Sequence, residues 1–186
     1  MKHKIHTYGH PVLREQADPL KNIDESIVQL SSDMQSLMQR EKGLGLAAQQ
    51  IGQTISICVL DLPREYDVIE PGGPRLNPDV TTPLTLINPV ILEKSGAIKL
   101  DEGCLSFPKL YSAVQRAWEI SVTYIDISGT EQKMEARGLL ARIIQHELDH
   151  LNGVLFVDKI SKIAKIGLSS KLKALKKRTL EEENPL

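Results

Sequence analysis

The sequence predicts an α+β fold in which several strands wrap round one central helix, with further helices near the N- and C-terminal ends. Three observations carry that prediction. Apolar residues recur at helical spacing near the start of the chain and again late in it. Between those stretches lie short β-branched runs bounded by turn signals. The order is therefore helix, strands, helix, and then a basic terminal stretch, which is the pattern of segregated helices and strands rather than of alternating βα units.

Each element has its own warrant. Gly9-His10-Pro11 reads as a turn before a short arm. From Ile23 to Glu41, Ile23, Ile27, Leu30, Met34, Leu37 and Met38 define the apolar face of an amphipathic helix, stopped by Gly43-Leu44-Gly45. Ile55 to Leu60, ISICVL, reads as a buried strand. Pro63 to Pro83 holds Pro63, Pro71, Pro74, Pro78, Pro83 and Gly72-Gly73, and reads as a surface loop. Strand-like sequence resumes at Leu84 to Leu92 and continues with Ala97 to Leu100, Glu119 to Ile127 and Gln132 to Ala136, with Ser128-Gly129 as the hairpin signal between the last two. Leu139 to Leu151 is helical again and stops at Asn152-Gly153. A basic stretch from about Lys159 carries Ile160, Ile163, Leu168, Leu172 and Leu175 at roughly helical spacing; Gly167 and Ser169-Ser170 are candidate breaks within it.

The whole chain bounds the function classes. Its 186 residues fit one catalytic domain, 1–186, large enough to bury a core without disulfides. A net charge of −1 gives no general attraction to nucleic acid or to a membrane surface. Two cysteines, Cys58 and Cys104, make no disulfide framework, and MKHKIHTYGHPVL lacks the apolar run of a secretory signal, so the expected location is the cytoplasm. No stretch approaches the roughly 18 apolar residues of a membrane span.

The late helix carries the chemistry. Gln145 to Gly153 reads QHELDHLNG, and His146, Glu147 and His150 form H-E-x-x-H. Residues four apart lie one turn apart on one helix face, so two imidazoles reach one metal ion, with Glu147 beside the first to handle a proton from water. The bland alternative is a helix with two surface histidines. A catalytic site needs a third protein ligand. The metzincin continuation places it at Phe156, which cannot bind metal, and the acidic residues further on are Asp158 and the terminal Glu181-Glu182-Glu183 run. The ligand is therefore sought upstream, where Cys104 in Glu102-Gly103-Cys104-Leu105-Ser106 is the best candidate. A buried small hydrophobe is the alternative for any lone cysteine, and it suits Cys58 within ISICVL better. Gly43 to Gln50, GLGLAAQQ, lacks a phosphate-loop pattern and follows a helix, so it reads as a helix stop with tightly packed backbone.

GLGLAAQQ, EGCLS and QHELDHLNG, in this order, resemble the three signature motifs of the peptide deformylases, and GHPVLREQADPL is similar to that family's opening. The resemblance runs from about His6 to Asp158. It implies that Cys104, His146 and His150 hold one divalent ion, commonly ferrous iron with zinc or nickel as substitutes, and that the late helix is a central metal-binding helix. It implies a hydrolase that removes the formyl group from the N-terminal formylmethionine of nascent polypeptides, with Glu147 as general base and Gln50 and the Leu105 N–H as oxyanion donors. Glu102 then supports a ligand, with Arg116 as its partner. Leu44 and Gly45 pair with the peptide backbone, and Leu100, Leu139 and Ile143 line a methionine pocket. Arg142 falls at the pocket rim, and Tyr111 stands where some relatives carry a basic residue. For the lysine-rich C-terminal helix the plain reading is a solvated basic face, and the resemblance implies docking on the ribosome, with truncation after Ile166 then expected to preserve turnover; the alternative is that its apolar stripe packs on the core, in which case truncation destabilises the domain. A zinc endopeptidase and a non-catalytic ribosome-associated relative are the competing functions.

Overall fold

A computed structural model describes residues 3–183, and it combines helices with two antiparallel sheets. Helix α1 spans Glu25–Arg40. It starts where the Asp24 carboxylate accepts from the Ser26 and Ile27 N–H groups at 2.9 and 3.2 Å. It ends where Lys42 turns left-handed, φ 58°, and the Gly43 N–H returns to the Met38 carbonyl at 2.9 Å. Met34, Leu37 and Met38 are buried against strands β1, Gly45–Ala47, and β2, Ile57–Leu60.

The larger sheet runs β1-β2-β3-β6-β7, with β3 at Leu84–Ser95, β6 at Glu119–Ile125 and β7 at Glu131–Arg137. β4, Ile98–Gly103, and β5, Tyr111–Arg116, form a separate hairpin. The sequence reading missed β1 and β5. β1 is three residues long and composed of Gly, Leu and Ala, and β5, YSAVQR, has no clean alternation of apolar and polar residues. The β6–β7 turn closes on Asp126, whose carboxylate accepts from the Ser128 and Thr130 N–H groups and from the Gln132 amide.

Helix α2, Gly138–Leu151, packs on β1, β2, β6 and β7. Leu140, Ala141, Ile144, Leu148 and Leu151 join residues of β2, β3 and β6 in one apolar cluster. After it, the short α3, Phe156–Lys159, buries Phe156 edge-on to Phe107, with ring centroids 4.8 Å apart. Phe156 is thus a core residue. Helix α4 runs unbroken over Lys162–Glu183. The breaks expected at Gly167 and Ser169-Ser170 do not occur: Gly167 is exposed with open space around it, so its cost is that of local propensity, about 1 kcal/mol. Leu172 and Leu175 are buried with Val12, Leu13 and Phe107, which offsets it. The segment beyond Ile166 therefore packs Leu172 and Leu175 into the core, as in the second of the two readings of this helix. No helix among the described residues is long and apolar enough to cross a membrane.

Candidate active site

The site forms where α2, β1 and the β4–β5 connection meet. α2 presents His146 and His150 on one face, their ring centroids 5.0 Å apart, and the turn after β4 presents Cys104. That turn is closed by the Phe107 N–H on the Cys104 carbonyl at 2.8 Å. The ligand atoms of Cys104, His146 and His150 all lie within 4.8 Å of one another, and Cys104 Sγ is 3.2 Å from His150 Nε2. One sulfur and two imidazole nitrogens at that spacing fit a single borderline metal ion.

The surrounding charges suit the same ion. His146 Nδ1 lies 3.2 Å from Glu102 Oε2. Burial acts to raise the Glu102 carboxyl, but hydrogen bonds from His146 and Arg116 outweigh it and bring it down to about 2. Glu102 is then an anion that can only accept, so His146 donates to it from Nδ1, which leaves Nε2 as the nitrogen available to a metal. Arg116 clamps Glu102 through two hydrogen bonds, 2.9 and 3.0 Å, and its remaining arm reaches Asp149. Arg142 donates to the Asp101 carbonyl at 3.0 Å and stands 3.7 Å from Glu102.

Glu147 is buried, and its Oε2 has no hydrogen-bond partner. Burial pushes its carboxyl up to about 7. Gly45 is required beside it, because a Cβ there would stand 2.3 Å from Glu147 Oε1. Gln50 is oriented by the Ala47 N–H, which donates to its Oε1 at 2.8 Å. Its amide Nε2 therefore points at Cys104 Sγ, 3.5 Å, and Ser106 Oγ, 3.2 Å.

A cleft of about 580 Å³ opens over these groups. Leu44, Gly45, Gln50, Glu102, Cys104, Leu105, Leu139, Ile143, His146 and Glu147 all contribute to its lining. Leu105 also packs on Gly43. Tyr111 and Arg142 lie at the cleft as well, with the Tyr111 ring against Gly103. His150 and Arg116 are buried behind it. Leu100 is not brought to the cleft: it lies on β4, 46% exposed, outside the lining.

Sequence reasoning missed Asp149 and Gln145. Gln145 holds α2 to the link between β5 and β6, accepting from the Ala117 N–H and donating to the Ala117 carbonyl, both at 3.0 Å. Their positions inside QHELDH were the available signal, since each flanks a histidine on α2. A second group of metal-capable side chains, His6, His10 and Glu183, lies outside the cleft. The Val12 N–H donates to His10 Nδ1, leaving the proton on Nε2, and the Lys4 ammonium sits 2.9 Å from Glu183.

Comparison with known proteins agrees over nearly the full length. The family model described as polypeptide deformylase matches residues 2–165. The chain is 41% identical over 183 residues to a peptide deformylase of Opitutus terrae, covering 96% of this chain and 95% of that one. It is 39% identical to one of Salinibacter ruber, covering 98% and 92%. Among solved structures, peptide deformylase 1B of Arabidopsis thaliana superposes with a TM-score of 0.84 at 33% identity, covering 98% of this chain and 94% of that one. The peptide deformylase of Synechococcus elongatus, solved in complex with actinonin, superposes at 0.78 and 37% identity, covering 91% and 85%.

Proposed function

The chain belongs to the polypeptide deformylase family of hydrolases, and from that premise we propose that it removes the formyl group from the N-terminal formylmethionine of nascent polypeptides, releasing formate. The observation that carries the reading is the convergence of Cys104, His146 and His150 within 4.8 Å at a cleft that also holds Glu147, Gln50 and Leu105. A divalent ion on those ligands, ferrous iron with zinc or nickel as substitutes, supplies Lewis acidity and lowers the pKa of adjacent water.

The protein's own groups do the rest. Glu102 fixes the His146 ring so that its Nε2 lone pair serves as a ligand, and Arg116 holds Glu102 in place. Glu147, whose Oε2 has no hydrogen-bond partner, takes the proton of the attacking water. As oxygen adds to the formyl carbon, negative charge grows on the formyl oxygen. The Gln50 amide and the Leu105 N–H donate to it. When the carbon–nitrogen bond breaks, Glu147 passes its proton to the leaving amine, and formate and a free methionyl terminus result. β1 is the end strand of its sheet, so an extended peptide adds beside Leu44 and Gly45 as a further strand; the Leu44 carbonyl already accepts from the Asp61 N–H, and the Gly45 backbone faces the open edge. Leu139 and Ile143 take the methionine side chain.

On this reading residues 1–186 act as one catalytic domain in which the sheets form a shell about the metal-binding helix α2. The enzyme works in the bacterial cytoplasm, and α4 docks it on the ribosome through its lysines. The test is formate release from a formyl-Met peptide. Glu147→Gln should keep its metal and lose about 100- to 10,000-fold in kcat. Near wild-type turnover of that variant at saturating peptide contradicts the proton-transfer role.

A further inference from the structure

The segment between Asp61 and Pro83 contributes nothing to the cleft lining, yet it grips the point where β7 passes into α2. Asp67 and Asn77 are buried although they lie in a loop rich in proline and glycine. Asp67 accepts from Arg75 Nε at 2.8 Å and from Asn77 Nδ2. Because a carboxylate can only accept, this fixes which end of the Asn77 amide is which. Asn77 then reaches out of the loop. Its Oδ1 accepts from the Arg137 N–H at 2.8 Å, and its Nδ2 donates to the Arg137 carbonyl at 3.2 Å. One side chain thus satisfies both backbone groups of Arg137, as a neighbouring strand would.

The next residue, Gly138, has φ +61°, and its N–H donates to the Trp118 carbonyl at 2.9 Å. Leu76 Cδ1 fills the space in front of it, 2.6 Å from where a Cβ would stand. The residue after that is Leu139, which lines the cleft two turns before His146. Arg137 and Gly138 are held from the loop side, and the wall of the cleft follows directly from them.

We propose that Asn77 and Leu76 are positioning residues for substrate selectivity: by holding Arg137 and Gly138 they set where Leu139 stands in the pocket for the first side chain of the peptide. The proposal rests on the deformylase reading above. It differs from a plain bracing role in what it moves. A brace that only holds the fold lowers activity on every peptide alike, whereas displacement of one apolar wall changes the discrimination among first side chains. Contacts at the level of a methylene in an apolar pocket are worth roughly 10- to 200-fold between substrates, and a partial relaxation of one wall uses a fraction of that.

The experiment compares kcat/KM for formyl-Met, formyl-Leu and formyl-Phe peptides of otherwise identical sequence, with bound metal and melting temperature recorded for each protein. Wild type, Asn77→Ala, Leu76→Ala and, as a control on the exposed part of the same loop, Ile69→Ala are the four proteins. The expected result is a fall of about threefold or more in the preference for formyl-Met over formyl-Leu and formyl-Phe in Asn77→Ala and Leu76→Ala, at unchanged metal content, with Ile69→Ala like wild type. If Asn77→Ala does not fold, Leu76→Ala decides, since it keeps every hydrogen bond of the loop. Unchanged preference in Leu76→Ala, whether or not overall activity falls, overturns the proposal. A wild type that releases formate from none of the peptides overturns the deformylase reading instead.

Discussion

Replacing Arg116 by methionine keeps most of the side chain's aliphatic volume and removes its charge. Arg116 and Glu102 have side chains only 4% and 7% exposed, so the pair is buried, and two hydrogen bonds of 2.9 and 3.0 Å join them. Removing one partner of such a pair leaves an uncompensated charge in the interior and costs about 3–5 kcal/mol. Asp149 adds little to the loss, because it is more open to solvent and keeps Lys159 at 3.3 Å. In a domain of this size about 2–4 °C of melting temperature goes with each kcal/mol, so Arg116→Met should melt about 6–20 °C lower. Glu102→Gln should also be destabilising, but the double variant should lose clearly less than the sum of the two, because the second change removes the charge stranded by the first. The acid limb carries the same signature. The Glu102 carboxyl is held at about 2, below its ordinary 4.5, so its contribution to stability is present above about 4.5 and is lost as pH falls towards 2. That loss should be smaller in Arg116→Met. The assay is thermal melting from pH 7 to pH 2, with metal content matched. A melting temperature within about 2 °C of wild type at pH 7, or strict additivity in the double variant, would refute the buried-pair argument.

Four further outcomes are expected. Cys104→Ala should lose most of its bound metal, whereas Cys58→Ala, buried on β2 away from the ligand triad, should keep it; metal analysis decides, and equal stoichiometry in wild type and Cys104→Ala removes the ligand assignment. Truncation after Ile166 strips the buried Leu172 and Leu175 and should cost about 3–6 kcal/mol from those two side chains, lowering the melting temperature and activity on every substrate. The exposed Lys171, Lys173 and Lys177 changed together to Gln should instead spare the fold and weaken co-sedimentation with ribosomes; a triple variant that co-sediments as well as wild type at every salt concentration ends the docking role. Asp126, held at about 2 by Ser128, Gln132 and Thr130, contributes stability that is lost as pH falls from about 4 towards 2, so melting of Asp126→Ala should depend less on pH there, and parallel curves for the two proteins would contradict that.

The legible parts of this molecule are those whose signal is local. α1 and α2 were readable because their apolar faces repeat at helical spacing, and H-E-x-x-H because its geometry needs only one helix. Cys104 was reachable because two histidines are one ligand short of a catalytic site. β1 and β5 escaped because pairing with β2 and β4, rather than their own side chains, makes them strands. The continuity of α4 through Gly167 depends on Leu172 and Leu175 finding Val12 and Phe107, which lie far away in sequence. The same holds for Asp149 beside Arg116 and for Asn77 beside Arg137, where nothing near either residue in the chain announces the partner. Leu100 was assigned to the pocket by resemblance alone, and the path of β4 leaves it outside the cleft lining.

The most direct test is formate released from a formyl-Met tripeptide by wild type and Cys104→Ala, each supplied with the same metal and measured side by side. Wild type should release formate rapidly and catalytically, and Cys104→Ala almost none. Formate release by Cys104→Ala at the wild-type rate, or cleavage of an internal peptide bond by wild type without formate, would contradict the deformylase reading.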